Sequence, residues 1–125
     1  MITIIQVGIG APIERVWRAL TDPSEVTRWA QVDPVHLPDG YPAAGQYALW
    51  RDRGGVLLHD IILRVERERR LTSRLHVGPW LVLEEYLLTP SGERRTRLRA
   101  SWRGHPALAA GNRAAIQRLR GALAT

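Results

Sequence analysis

The sequence predicts an α+β domain in which a curved antiparallel sheet of about six to seven strands wraps a long C-terminal helix. Three observations predict it. A β-rich segment opens the chain and passes directly into two short stretches with helical spacing. Segments with alternating character, separated by turn signals, then run on to Arg103. The last stretch returns to helical spacing. A chain of 125 residues is read as one domain over 1–125, large enough for a sizeable core.

Thr3 to Ile9 is rich in β-branched residues, with Ile5, Val7 and Ile9 on one face. In the next segment Ile13, Val16, Trp17 and Leu20 recur at i, i+3, i+4 and i+7 and form one apolar stripe. Pro12 suits the first helical position. The helix should stop near Thr21, because a residue preceding proline is pushed out of the helical region. Asp22 then serves as a fresh N-cap, with Pro23 first in the second helix and Glu25 third, a variant of the capping box. Val26 and Trp29 give that helix its buried side.

Ala30 to Ala44 holds three prolines, a short strand around Val35 to Leu37 and a turn at Pro38-Asp39-Gly40. Gly45 to Arg51 is a strand and Asp52 to Gly55 a hairpin turn. Val56 to Arg67 is the longest strand. Its cleaner apolar face, Leu57, His59, Ile61, Leu63 and Val65, is expected to point inward, with Asp60 outward. Leu71 to Val77 follows, with Leu75 and Val77 opposite Arg74 and His76, and Gly78-Pro79 breaks it. Trp80 to Thr89 leaves two face assignments open: Trp80, Val82, Glu84, Tyr86 and Leu88, or Leu81, Leu83, Glu85 and Leu87. In Arg95 to Arg103, Thr96, Leu98, Ala100 and Trp102 point inward. Gly104-His105-Pro106 starts the final helix, whose buried stripe is Leu108, Asn112, Ala115, Ile116, Leu119 and Leu123, with Arg113, Arg118 and Arg120 solvated. This is the element order of a helix-grip fold.

The residues Ala11, Pro12, Glu14, Val16, Trp17, Leu20, Thr21, Asp22 and Pro23, with Trp29 after them, carry a resemblance. A strand followed by this motif resembles the opening of the START-like (SRPBCC) superfamily, which includes polyketide cyclases, the birch-pollen allergen family and relatives of a heat-shock-chaperone activator. The resemblance implies a helix-grip fold, often with a ligand cavity between sheet and helix.

Composition narrows the chemistry. There is no cysteine, which excludes thiol catalysis, disulfides and thiolate metal sites. The N-terminal residues show no basic region followed by an apolar run, so no signal peptide is expected. No apolar run is long enough to cross a membrane. A cytoplasmic location is the default expectation. The net charge of +6 invites a nucleic-acid reading, but every one of the 18 basic residues is arginine, and they alternate with apolar residues as on a solvated sheet face. Nucleic acid is therefore not expected as a partner. Gly8-Ile9-Gly10 lacks the third glycine of a dinucleotide turn, and Ile13 stands in its place. The four histidines, His36, His59, His76 and His105, fall on separate elements, which argues against a metal site. No cofactor is expected.

The candidate site residues follow from the expected inward faces. His59 on an aliphatic face is either a core histidine satisfied by a backbone group or a general acid/base. Glu84 beside Trp80 and Tyr86 is either a strand-end residue or a buried carboxylate with a raised pKa or an arginine partner. Trp50, Trp80 and Trp102 offer flat apolar walls, with Tyr47, Leu57, Ile61 and Asn112 on the faces expected to line the same space. Together these residues fit a pocket for a hydrophobic or aromatic small molecule. The resemblance to polyketide cyclases implies, for an enzyme, cofactor-free aldol-type cyclisation or dehydration, with His59, Tyr86 and Glu84 as catalytic residues. Two further readings stay open: a non-catalytic carrier or sensor with the same pocket, and a chaperone-activator-like interaction module.

Overall fold

A computed structural model describes residues 2–105 and 109–123 of the chain. Ile2–Ile9 forms β1, Ile13–Thr21 α1, Pro23–Ala30 α2, Val32–His36 β2, Tyr47–Asp52 β3, Leu57–Glu66 β4, Arg70–Val77 β5, Trp80–Pro90 β6, Thr96–Arg103 β7 and Ala109–Leu123 α3. The strands make one antiparallel sheet in the order β1-β7-β6-β5-β4-β3-β2. Each strand from β2 to β7 pairs with its chain neighbour. β1 closes against β7, so among the described residues the only pairing between strands not consecutive in the chain joins the first strand to the last.

The α1–α2 corner follows its sequence signals with two adjustments. Pro12 is extended and sits just outside α1 rather than inside it. Asp22 caps α2 by accepting from the Ser24 backbone N–H at 3.0 Å and the Ser24 hydroxyl at 2.8 Å. Glu25 does not reach back to complete a capping box. It pairs instead with Arg15 at 2.7 Å and Arg18 at 3.3 Å, tying α2 to α1. The buried Trp29 indole donates to the Ala19 carbonyl at 2.8 Å, which fixes the angle between the two helices.

The core lies between the helices and one face of the sheet. Ile5 and Ile9 of β1, Leu98 and Ala100 of β7, Val82 and Leu88 of β6, and Ile116, Leu119 and Leu123 of α3 are buried together. α3 packs against α2 and β1. Its stripe is the expected one at Asn112, Ala115, Ile116, Leu119 and Leu123, while Leu108 lies outside the described residues. Arg118 is not a solvated side chain: it is half-buried, and its Nε donates to the Trp29 carbonyl at 2.8 Å. That bond satisfies a carbonyl at the end of α2 and pins α3 over it. β2 covers Val32–His36, overlapping the strand expected around Val35–Leu37 but starting three residues earlier and ending one earlier, with a register shift between Pro34 and His36. Gly78-Pro79 is the two-residue turn between β5 and β6, with Gly78 at φ +59°.

Candidate ligand-binding site

The site is set by which face of each strand meets the helices. On β3 the buried residues are Ala48 and Trp50. Antiparallel registry places Ala48 opposite Asp60 and Trp50 opposite Leu58, so residues 58, 60 and 62 of β4 point inward with them. Asp60 and Ile62 are buried, whereas Leu57 is 38% and Leu63 43% exposed. The inward face of β4 is thus the reverse of the one its aliphatic pattern suggests. The strand carries apolar residues on both faces, and cross-strand registry with Trp50 decides between them. A bulge between Ile62 and Arg64 then shifts the phase, returning Val65 to the core side.

This correction moves three candidate residues. His59 and Ile61 lie on the outer face of the sheet beside Leu57. The His59 Nδ1 is 2.7 Å from the hydroxyl of Tyr47, itself exposed and stacked against His36. Tyr47 is therefore also outside the cavity. Trp80 sits at the β5–β6 turn, more than a third exposed, and stacks on His105 with ring centres 4.3 Å apart.

The other candidates come together. On β6 the inward set is Val82, Glu84, Tyr86 and Leu88, which resolves the ambiguity of that strand. An inner chamber of about 110 Å³ lies between the sheet and α2, with Trp50, Asp60, Glu84 and Tyr86 among its walls, along with Tyr41 and Ser73. A wider cleft of about 450 Å³ shares Glu84 and Tyr86 and reaches Trp102, Asn112, Arg118 and the β3–β4 turn. The aromatic walls meet edge to face: Tyr41 with Trp50 at 5.8 Å, Trp29 with Tyr86 at 6.2 Å, and Tyr86 with Trp102 at 6.1 Å.

Two carboxyls are buried in this aromatic space. Glu84 Oε2 accepts from the Trp102 indole N–H at 2.7 Å. Burial nevertheless pushes Glu84 up to about 7, with the nearby Asp60 charge adding to the rise and the Trp102 and Tyr86 hydrogen bonds opposing it. Burial likewise pushes Asp60 up to about 6 against the hydrogen bonds from Ser73 and Trp50. Its Oδ1 has no hydrogen-bond partner. Burial, and then the two carboxylates, push the Tyr41 and Tyr86 hydroxyls up, so both stay protonated. The chamber therefore holds two groups able to exchange protons near neutral pH and two fixed O–H donors. Among the described residues no three His, Asp or Glu side chains gather where they could hold a metal ion.

Asp60, Tyr41 and Ser73 were not legible as site residues. For Asp60 a signal existed: Leu58, Asp60 and Ile62 share a face, and the Ala48–Trp50 pair on the neighbouring strand could have marked that face as inward.

The family model for polyketide cyclase / dehydrase and lipid transport matches residues 5–125. The chain belongs to this family. Its fold recurs in solved structures of low sequence identity. DynU16, a protein of the dynemicin biosynthetic locus, is 24% identical with a TM-score of 0.82, over 99% of this chain and 47% of DynU16. The chain thus spans just under half the length of that protein. Protein CV1439 from Chromobacterium violaceum is 15% identical with a TM-score of 0.84, over 99% of this chain and 97% of its own. CalU16 from Micromonospora echinospora is 25% identical with a TM-score of 0.75, over 95% of this chain and 71% of its own. A search of the curated proteins finds no match to the chain. No helix among the described residues is long and apolar enough to cross a membrane.

Proposed function

We propose that this family member binds a small hydrophobic or aromatic molecule in the chamber between the sheet and α2 and the cleft that continues from it to α3, and that Glu84 exchanges a proton with it. The observation that carries the reading is that Asp60 of β4 and Glu84 of β6 both line one aromatic-walled chamber. A carboxyl poised near neutral pH in an apolar site is suited to general acid/base work.

The chemistry that fits is aldol-type cyclisation. The Glu84 carboxylate takes a proton from the carbon beside a ketone. The Tyr86 hydroxyl donates a hydrogen bond to the enolate oxygen as charge builds on it. The enolate carbon bonds to a second carbonyl of the same molecule, and Glu84 returns its proton to the new alkoxide. The step is an isomerisation with no external reactant; subsequent loss of water would be the dehydration. This assigns to Glu84 the proton-shuttling role that the resemblance to polyketide cyclases implied for His59. The family's description also covers lipid transport, which favours a carrier as the second reading of the same cavity. An open cavity speaks for either of these over an interaction module with a filled core.

Tryptophan fluorescence titrated with polyketide-like aromatic compounds tests the reading, because Trp50 and Trp102 line the space. Saturable quenching in the micromolar range is expected. In an enzyme, Glu84→Gln keeps affinity and loses turnover. Binding without turnover by the unaltered protein assigns the carrier, and no response to any compound overturns binding altogether.

A further inference from the structure

The chain carries 18 arginines, yet none lines the inner chamber, whose ionisable residues are Tyr41, Asp60, Glu84 and Tyr86. Two arginines reach the outer cleft, and both are engaged. Arg118 donates to the Trp29 carbonyl. Arg53 bonds Asp33 at 2.6 Å and reaches the Thr27 carbonyl at 3.4 Å. The two carboxyls of this otherwise apolar and aromatic chamber therefore have no arginine counter-ion among its walls.

Asp60 is 5% exposed, and its Oδ1 lacks a partner. A buried carboxylate oxygen left unsatisfied is costly, and a hydrogen-bond donor brought in by a ligand would satisfy it. The walls around it are the faces and edges of Tyr41, Trp50, Trp29 and Tyr86. Aromatic faces combined with carboxylates recognise an ammonium group, which the ring quadrupoles attract and the carboxylates neutralise. A ligand carboxylate could accept from the Tyr41 and Tyr86 hydroxyls but would meet no cation, and it would add like charge and desolvation.

We propose that the chamber takes the cationic amine of an otherwise apolar ligand, seated on Asp60 Oδ1 with Glu84 alongside, and that it discriminates against carboxylic acids. This rests on the reading that the cavity binds a small molecule and specifies the chemical class of that molecule. It leaves Glu84 available for proton exchange, since neutralising Asp60 removes one of the charges that hold the Glu84 proton.

The test is calorimetric titration of the unaltered protein near neutral pH with three matched probes: 2-naphthylmethylamine, 2-naphthylmethanol and 2-naphthoic acid. The amine is expected to bind about tenfold or more tightly than the alcohol, as for a buried charged hydrogen bond, with the acid weakest. Asp60→Asn, checked for folding by its thermal transition, is expected to erase the preference for the amine. An alcohol that binds as well as the amine, or an acid that binds best, overturns the inference while leaving cavity binding intact. So does a folded Asp60→Asn protein that keeps the full preference. Failure of all three probes to bind overturns both the inference and the cavity reading. If Asp60→Asn does not fold, the ranking of the three probes on the unaltered protein decides.

Discussion

Two acidic residues six positions apart on β4 meet opposite surroundings. Glu66, near the end of the strand, lies among Arg64, Arg69 and Arg70, all within salt-bridge distance. Asp60 points inward among Trp50, Tyr41 and Ser73 and meets no arginine. The strand face makes the difference. Glu66 keeps about a quarter of its side chain exposed, and the arginine counter-ions around it offset its partial desolvation. An inward carboxylate is desolvated and raises its own pKa. A chain this rich in arginine could supply a buried partner, and it supplies none to Asp60 or Glu84. Carboxyls left unneutralised in a cavity weaken the fold, and such groups concentrate where proton transfer or ligand recognition uses them.

The largest effect that would sharpen this contrast is on the pH dependence of stability. Asp60 and Glu84 have folded pKa values of about 6 and 7, above their ordinary 3.8 and 4.5. Between those limits the folded state holds protons that the unfolded state releases. Their contribution is therefore most favourable below about pH 4 and is lost as pH rises through the folded values. Each group weakens the fold by roughly 3 kcal/mol once ionised. The double variant Asp60→Asn/Glu84→Gln is expected to melt well above the unaltered protein at pH 8, and the gap should close near pH 4. Glu66→Gln in the same melts should move stability by less than about 1 kcal/mol at either pH. Parallel melting curves for the double variant and the unaltered protein at both pH values would break the comparison.

A smaller effect of opposite sign is expected at Asp22. The Ser24 hydroxyl and backbone N–H, in that order, hold its carboxyl below the usual value. Its stabilising contribution is thus present above the unfolded value and is lost as pH falls through the folded one. Asp22→Ala should cost about 1 kcal/mol near neutral pH, as for other helix caps, with the loss shrinking in acid. Urea midpoints at pH 7 and pH 3 measure both. A cost that grows in acid would show that Asp22 behaves like the cavity carboxyls.

The contrast also explains how much of the molecule was legible beforehand. The α1–α2 corner, the element order and the inward set of β7 were readable because each rests on local signals: Pro23 after Asp22, Trp17 and Leu20 at helical spacing, and clean alternation from Thr96 to Trp102. Trp102 and Asn112 were placed on the cavity side by clean alternation in β7 and the helical stripe of α3, whereas β6, apolar on both faces, left Glu84 and Tyr86 undecided until the register with its neighbours was known. β4 has two apolar faces, so its orientation depends on Trp50 across the ladder and on a bulge at Ile62. Neither is a property of the strand's own sequence. One inverted strand moved His59, Leu57 and Ile61 out of the site and left Asp60 unnoticed. Tyr41 was hidden for another reason: it reaches the chamber from the loop between β2 and β3, where no period exists to read.

The smallest expected effect tests that inversion directly. His59 lies on the outer face, where its Nδ1 is hydrogen-bonded with the exposed Tyr47 hydroxyl. His59→Ala removes an interaction already shared with water, so stability should change by no more than about 0.5 kcal/mol. Any ligand that quenches the cavity tryptophans should bind the variant with unchanged affinity, and any turnover should keep its rate and its pH profile. The sensitivity of this test comes from the strand's period. A one-residue slip in β4 would return His59 to the chamber and expel Asp60. Loss of binding or of turnover in His59→Ala, with Asp60→Asn silent, would show that the slipped register is the one in solution. The reverse pattern holds if cross-strand packing against Trp50 orients the strand.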